Sequence, residues 1–192
     1  MLAEKINPSR LGFDFDGVIA DTAEAFLRIA CEKHNYCDVR LDDITRFNVE
    51  ECLPIEPEII RSIFDEILHD SVGNGLRPMP GAKEVLGELA EMAPLTLITA
   101  RTHPEPVEHW LRLEFSPSVS KRIKLVAMGD HDDKGRYIKN HNLDFFIDDR
   151  LKTCLQLSTA GIQPIVFTQP WNSGRHNLPS VRCWEEIRSL CL

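Results

Sequence analysis

Short runs of consecutive apolar residues alternate along the chain with stretches whose apolar positions recur every three to four residues. The runs predict strands at 11–15, 95–99, 123–128, 143–148 and 164–168. The stretches between them predict helices at 81–92, 105–115, 134–142 and 151–160. Strands that alternate with helices are typical of a parallel sheet packed between helices. The pattern therefore predicts an α/β architecture.

Residues 20–77 interrupt this alternation. They contain three stretches of helical periodicity, at 22–34, 41–51 and 56–69, and no convincing strand. The turn-rich segment "SVGNGLRPMPG" then returns the chain to the alternating pattern. We therefore predict an α/β core domain made of residues 1–19 and 78–192, with a helical cap domain, residues 20–77, inserted after the first strand.

The composition, with 43% hydrophobic and 27% charged residues among 192, is that of a soluble globular protein. A net charge of -8 argues against a nucleic-acid polymer as partner, because such binding needs clustered Lys and Arg. No apolar run is long enough for a membrane span, and the N-terminal stretch lacks the apolar core of a signal peptide. The six cysteines form no CxxC pair, so we expect free, mostly buried thiols and a cytoplasmic location. Monomer and homodimer both remain open.

Charged and polar residues cluster where the predicted strands end. The segment "RLGFDFDGVIADT" places Asp14, Asp16 and Asp21 against a buried strand, where like charges repel unless a cation compensates them. Other strand ends carry Thr99, Ala100 and Arg101, then Lys134 at a helix start, then Asp148 and Asp149. The carboxyl ends of parallel strands share one edge of the sheet, so these groups are expected to meet there.

This set resembles the four signature motifs of the haloacid dehalogenase (HAD) superfamily. The matching segments are "DFDGV", "LIT", the lysine of "DDKG" and "IDD", and together they span essentially the whole chain. The resemblance implies a Rossmann-like three-layer αβα parallel-sheet core with a C1-type helical cap. It also implies a phosphatase, because Asp16 is present where superfamily members that cleave carbon–halogen bonds generally lack an acid.

The resemblance assigns a role to each motif residue. Asp14 is the nucleophile that forms an aspartyl-phosphate, and Asp16 is the general acid and then the base, with neighbouring carboxylates expected to favour its protonated form. Thr99 holds phosphoryl oxygens, and Lys134 neutralises the charge of Asp14 and the phosphate.

The resemblance also implies a Mg²⁺ site. Its ligands are Asp14, the backbone carbonyl of Asp16, and the acidic pair of the fourth strand. Of that pair, Asp149 is the expected direct ligand and Asp148 the outer one.

Two segments, "DFDGVIADT" and "TQPWN", are similar to stretches of the 5'(3')-deoxyribonucleotidases. This similarity implies a small phosphate ester as substrate, a nucleoside monophosphate above others, with Trp171 in contact with it. The segment "TAR" departs from that family, and we predict that Ala100 and Arg101 contact the substrate, Arg101 through a second anionic group. Phe26 and Phe47 either stack on a base or belong to the core.

Other functions remain open at this level. They are a phosphomutase, a sugar or acid phosphatase, and a non-catalytic protein that binds phosphorylated ligands or a partner. Three histidines, His103, His131 and His176, lack partners at metal-binding spacing and are predicted to be turn or surface residues.

Overall fold

The protein, described here by a computed structural model over residues 5–129 and 134–192, is built around a six-stranded parallel sheet. The strands are β1 Leu11–Phe13, β2 Leu95–Thr99, β3 Ile123–Ala127, β4 Phe145–Asp148, β5 Gln163–Phe167 and β6 Ser180–Val181. Their order across the sheet is β3-β2-β1-β4-β5-β6, and every neighbouring pair is parallel. The predicted α/β fold with a parallel sheet is confirmed.

The helices are α1 Thr22–His34, α2 Pro57–His69, α3 Ala82–Met92, α4 Glu105–Glu114, α5 Pro117–Ser120, α6 Lys134–Asn140, α7 Leu151–Thr159 and α8 Trp184–Cys191. A large apolar cluster joins the sheet to α1, α2, α3, α4 and α8, and a smaller one packs α6 and α7 against β2 and β4. Helices therefore cover both faces of the sheet. Three elements, α5, β6 and α8, were not predicted from the sequence.

The central strand β1 is buried along its whole length, which explains its lack of polar residues. Gly12 lies opposite Thr96 of β2 and Phe146 of β4. A Cβ atom at Gly12 would come within 2.6 Å of Leu143 Cδ1 and 2.7 Å of Phe146 Cδ2. A glycine is therefore needed for the close packing that holds the end of β1 in place.

The insert contains two long helices, α1 and α2, and two 3-10 turns at Leu41–Asp43 and Val49–Glu51. The single helix predicted at 41–51 is therefore wrong. The Asp43 carboxylate accepts a hydrogen bond from the Arg40 backbone N–H at 2.8 Å, and the Asn48 amide donates to the Glu51 carboxylate at 2.9 Å. The bond to Asp43 occupies a backbone N–H, so it competes with helical hydrogen bonding and favours a separate turn.

The two segments that connect the insert to the core lie side by side. The Asp21 N–H donates to the Arg77 carbonyl at 2.8 Å, and the Met79 N–H donates to the Ile19 carbonyl at 2.7 Å. The backbone thus enters and leaves the insert at one place. The division into residues 1–19 and 78–192 against 20–77 stays a prediction.

Two cysteines of the insert differ from the expectation of free thiols. Cys31 and Cys37 form a disulfide with a Cα–Cα distance of 4.2 Å. The left-handed residue Asn35 ends α1 and turns the chain back on itself, which brings Cys37 beside the last turns of the helix. Four thiols are free, and of these only Cys154 and Cys191 are buried.

Within the described ranges, no helix combines the length and the apolar character that a membrane crossing requires.

Candidate active site

The loops that follow β1, β2 and β4 meet the start of α6 beneath the insert, where they line a cavity of about 560 Å³. The predicted site residues on its wall are Asp14, Asp16, Thr99, Ala100, Lys134, Asp148, Asp149 and Trp171. Arg101 is not on this wall. The cavity lies at the carboxyl edge of the sheet, where parallel α/β folds bind ligands.

Three carboxylates share the floor of the cavity. Asp14, Asp148 and Asp149 each offer an oxygen, and these atoms lie within 4.8 Å of one another. Burial raises the pKa of Asp14 to about 7, against the attraction of Lys134 and with the help of the neighbouring carboxylates. Burial and the charges of Asp148 and Asp14 raise the pKa of Asp149 well above its usual range. The cluster carries more negative charge than the described residues offset, so a cation fits its chemistry.

Lys134 supplies a positive charge at this floor. Its Nζ lies 2.6 Å from Asp148 Oδ2 and 3.1 Å from Asp14 Oδ1, and the side chain is buried. Burial by itself would lower the lysine pKa, but the two carboxylates outweigh it and raise the pKa above its usual value. The ammonium group is therefore charged at neutral pH.

The acidic pair at the end of β4, Asp148 and Asp149, bonds to two different sets of partners. Asp148 accepts hydrogen bonds from Lys134 at Oδ2, at 2.6 Å, and from the Arg150 backbone N–H at Oδ1, at 2.8 Å. Asp149 accepts a bond at Oδ2 from the Trp171 indole N–H at 3.1 Å, and its Oδ1 has no partner among the described residues. Asp149 therefore has an oxygen free to ligate a cation, whereas both oxygens of Asp148 accept hydrogen bonds. An all-oxygen site of this kind suits Mg²⁺.

Gly17 permits the position of Asp149. The glycine has a φ of +72°, and a Cβ atom there would lie 2.4 Å from Asp149 Oδ2. The loop after β1 can therefore pass directly against the carboxylate only because residue 17 lacks a side chain.

Asp16, just beyond the carboxyl end of β1, forms an ion pair with Arg101. Arg101 donates through Nε to Asp16 Oδ2 at 2.9 Å and through Nη2 to Oδ1 at 2.7 Å, and the Thr22 hydroxyl donates to Oδ1 at 2.7 Å. Burial opposes ionisation of Asp16, but Arg101 and Thr22 outweigh it and lower the pKa of the carboxyl. This differs from the expected protonated form, because Arg101 and not another carboxylate is the nearest partner.

Arg101 is buried within the protein. Besides Asp16, its guanidinium donates to the Ser71 hydroxyl at 2.7 Å and lies 4.9 Å from the centroid of the Phe15 ring. These bonds use the guanidinium inside the fold, so its contact with a second anionic group stays a prediction. Ser71 and Thr22, both in the insert, were not foreseen as partners of this cluster.

Thr99 and Ala100 form the end of β2 at the cavity. The Thr99 side chain is buried, and its hydroxyl accepts the Arg101 backbone N–H at 3.2 Å. Ala100 lies on the cavity wall beside it.

The insert contributes an apolar wall opposite the carboxylates. It consists of Phe26, Ile44, Phe47, Val49, Ile60, Phe64 and Leu68. Phe26 is buried and stacks on Phe64 at 5.0 Å, whereas Phe47 is 43% exposed and lies beneath the Arg150 guanidinium at 5.0 Å. Phe26 thus combines the two sequence alternatives, since it packs in the core and borders the cavity. Phe64 was missed because its spacing is also that of an ordinary core residue.

Of the three histidines considered above, His103 and His176 do not line the cavity. His103 is exposed, and His176 accepts the Leu178 backbone N–H at 3.2 Å through Nδ1, as a turn residue does. His131 lies outside the described residues.

A sequence profile of the family described as "5' nucleotidase, deoxy (Pyrimidine), cytosolic type C protein" matches residues 7–192. The chain belongs to this family. The similar proteins include "Putative nucleotidase YqfW" of Bacillus subtilis, 28% identical over 85% of this chain and 82% of that protein. Another is "Putative nucleotidase OB0422" of Oceanobacillus iheyensis, 22% identical over 93% of this chain and 96% of that protein.

The fold is that of the HAD-superfamily hydrolases. A solved hydrolase of this superfamily from Ehrlichia chaffeensis superposes with a TM-score of 0.58 at 16% identity, over 97% of both chains. The family match and the superfamily fold make this protein an HAD-type phosphatase of the nucleotidase family. The resemblance drawn from the sequence motifs is confirmed.

Proposed function

We propose that the protein is a Mg²⁺-dependent phosphatase that hydrolyses nucleoside monophosphates through an aspartyl-phosphate. The observation that carries the proposal is one cavity with two unlike walls. The Asp14, Asp148 and Asp149 carboxylates line it together with Lys134, and the insert adds aromatic and apolar side chains to the same cavity. The floor suits a phosphoryl group and a cation, and the wall suits a base.

The chain's own residues supply the bond-breaking chemistry. A carboxylate oxygen of Asp14 attacks phosphorus, the bond from phosphorus to the ester oxygen breaks, and Asp16 gives that oxygen a proton. Asp16, now ionised, takes a proton from the water that attacks the aspartyl-phosphate, which releases phosphate and restores Asp14. The Lys134 ammonium lies 3.1 Å from Asp14. Its positive charge offsets the repulsion between the attacking carboxylate and the phosphate.

The ion pair with Arg101 sets the starting state of Asp16. The ionised form that the structure favours is the form required by the second step, whereas the first step needs a proton on this carboxyl. The negative charge of a bound phosphate raises the pKa of a carboxyl beside it, and so favours that proton in the substrate complex.

Mg²⁺ would be held by Asp14, Asp149 and the backbone carbonyl of Asp16, with Asp148 behind them, and would stabilise charge on the phosphoryl oxygens.

The walls of the cavity support a nucleoside monophosphate over other esters. Apolar and aromatic side chains of the insert can cover a base. Charged side chains of both signs also line this part of the cavity, namely Glu50, Glu51, Asp65 and Arg61. The family description, which names deoxy and pyrimidine, and the nucleotidase names of the relatives point the same way.

The test is phosphate release from a panel of ribo- and deoxyribonucleoside monophosphates, sugar phosphates and phosphorylated acids, with Mg²⁺ and with a chelator. Wild type is compared with Asp14→Asn and with Asp21→Asn, since Asp21 caps α1 outside the cavity wall. We expect Mg²⁺-dependent release concentrated on nucleoside monophosphates, retained in Asp21→Asn and lost in Asp14→Asn.

Each alternative gives a different result in the same assay. A preference for sugar or acid phosphates would reject the nucleotide substrate and keep the chemistry. Little hydrolysis with a requirement for a bisphosphate activator would indicate a phosphomutase. Release that persists in Asp14→Asn would reject the aspartyl-phosphate.

A further inference from the structure

Residues Gln169–Asn172 follow β5 and Thr168. They contact the two loops that carry the carboxylate cluster. Three of them have polar side-chain atoms that bond to the catalytic loops, and all three side chains are buried. The Gln169 amide donates to the Gly17 carbonyl at 2.9 Å, and the Trp171 indole N–H donates to Asp149 Oδ2 at 3.1 Å. The segment therefore links the loop after β1 to the loop after β4.

Asn172 fixes this segment in place. Its side chain is fully buried, and its amide donates to the Asp149 carbonyl at 2.7 Å and to the Phe167 carbonyl at 2.8 Å. Its carbonyl oxygen accepts the Gln169 backbone N–H at 3.0 Å. All three bonds are internal to the fold, so Asn172 holds the backbone of residue 149 and the start of its own segment at a fixed separation.

The carboxylate of Asp149 is thus confined from two sides. Gly17 packs against Oδ2, where a Cβ atom would approach to 2.4 Å, and the indole N–H of Trp171 bonds to the same oxygen. Both contacts act on Oδ2, which leaves Oδ1 without a hydrogen-bond partner among the described residues. An outer hydrogen bond that orients a metal-binding carboxylate typically changes metal affinity by about 10- to 100-fold.

We propose that Trp171 is a positioning residue of the cation site, whose indole N–H orients Asp149, and that the segment Gln169–Asn172 serves as the outer support of this site. The proposal rests on the Mg²⁺ site of the proposed function. It gives Trp171 a role different from the substrate contact expected from the sequence. A substrate contact would change KM alone, whereas a positioning role changes cation affinity with no substrate present.

The first experiment measures the Kd of Mg²⁺ by isothermal calorimetry without substrate, for wild type, Trp171→Phe and Trp184→Phe. Trp184 is the matched control, because it is also buried and its indole N–H bonds to a backbone carbonyl, that of Val18, at 2.9 Å, and not to a carboxylate. We expect Trp171→Phe to bind Mg²⁺ about tenfold or more weakly and Trp184→Phe to bind it as wild type does.

Equal Kd values for wild type and Trp171→Phe would overturn the inference, as would an equal weakening in both variants. Absence of Mg²⁺ binding by wild type would instead reject the metal site of the proposed function, so the two failures are distinguishable.

A second measurement uses the unmodified chain and does not depend on the folding of Trp171→Phe. The three indole N–H resonances are recorded by ¹⁵N–¹H NMR during a Mg²⁺ titration and assigned with Trp110→Phe and Trp184→Phe. We expect the Trp171 resonance to shift as the cation binds, with the other two unchanged. An unshifted Trp171 resonance in a chain that binds Mg²⁺ would reject the proposed contact.

Discussion

Asp14→Asn is expected to abolish hydrolysis and, at the same time, to stabilise the metal-free protein. The Asp14 carboxyl is buried beside Asp148 and Asp16, and its pKa rises from 3.8 to about 7 in the fold. A raised pKa means that the folded state binds the proton more tightly than the unfolded chain does. Stability is therefore greatest below the unfolded value and is lost as the pH rises toward the folded value.

The size of the effect follows from the two pKa values. A shift from 3.8 to about 7 is worth about 4 kcal/mol once the pH exceeds both values, at roughly 1.4 kcal/mol per unit. Near pH 5 the folded group is still mostly protonated, and the same linkage gives about 1.7 kcal/mol. Asparagine carries no charge at any of these pH values. We therefore expect the free energy of unfolding of Asp14→Asn to exceed that of wild type by about 2–4 kcal/mol near pH 8, and by less near pH 5.

The assay is urea unfolding in a chelator, followed by tryptophan fluorescence, at several pH values for both proteins. Asp144→Asn is a useful control, because Asp144 pairs with Arg10 at the surface and this pair lowers its pKa. Saturating Mg²⁺ should reduce the difference in unfolding free energy between wild type and Asp14→Asn, because only wild type provides the full set of Mg²⁺ ligands and is stabilised by binding. Equal or lower stability of Asp14→Asn near pH 8, or an advantage that grows toward low pH, would refute the reasoning.

Three further substitutions probe the neighbouring parts of the site. Gly17→Ala should weaken Mg²⁺ binding in calorimetry, because its Cβ would meet the Asp149 carboxylate at 2.4 Å; unchanged affinity would show that this loop moves freely. Phe64→Ala should raise KM for nucleoside monophosphates by roughly three- to tenfold and leave inhibition by inorganic phosphate unchanged, since the ring belongs to the apolar part of the cavity lining that the proposed function assigns to the base. Arg101→Met removes both Arg101 bonds to Asp16 and leaves only the Thr22 bond to orient this carboxyl. The kcat should then fall on the order of tenfold more for a nucleotide than for p-nitrophenyl phosphate, whose leaving group needs no proton. Equal losses would give Arg101 a purely structural role.

The site residues that could be predicted are those whose signal is local. Asp14, Asp148 and Asp149 each follow a short apolar run, and the rule that parallel strands share a carboxyl edge brings them to one place. The partners of Asp16 could not be found in this way. Arg101 lies 85 residues away along the chain, and its own partner Ser71 belongs to a turn of the insert, so only the packed fold brings them together.

The errors in the insert have a similar origin. Apolar spacing at 41–51 suits a helix, but the Asp43 carboxylate accepts the Arg40 backbone N–H in a turn instead, a competition that periodicity does not report. The Cys31–Cys37 pair depends on the left-handed turn at Asn35, which brings two thiols together without any recognised cysteine motif. Hydrophobic periodicity thus predicts the strands and helices of the sheet. The hydrogen bonds that orient the side chains depend on tertiary contacts, which periodicity does not report.

The two segments that connect the insert to the rest of the chain lie side by side. Because Asp21 bonds to Arg77 and Met79 bonds to Ile19, a replacement insert needs only to begin and end at one point. The carboxylates and Lys134, to which the proposed function assigns the reaction, lie outside the insert, whereas the apolar side chains assigned to the base lie within it. On this assignment, an insert of different sequence would change the substrate while the reacting residues stay in place.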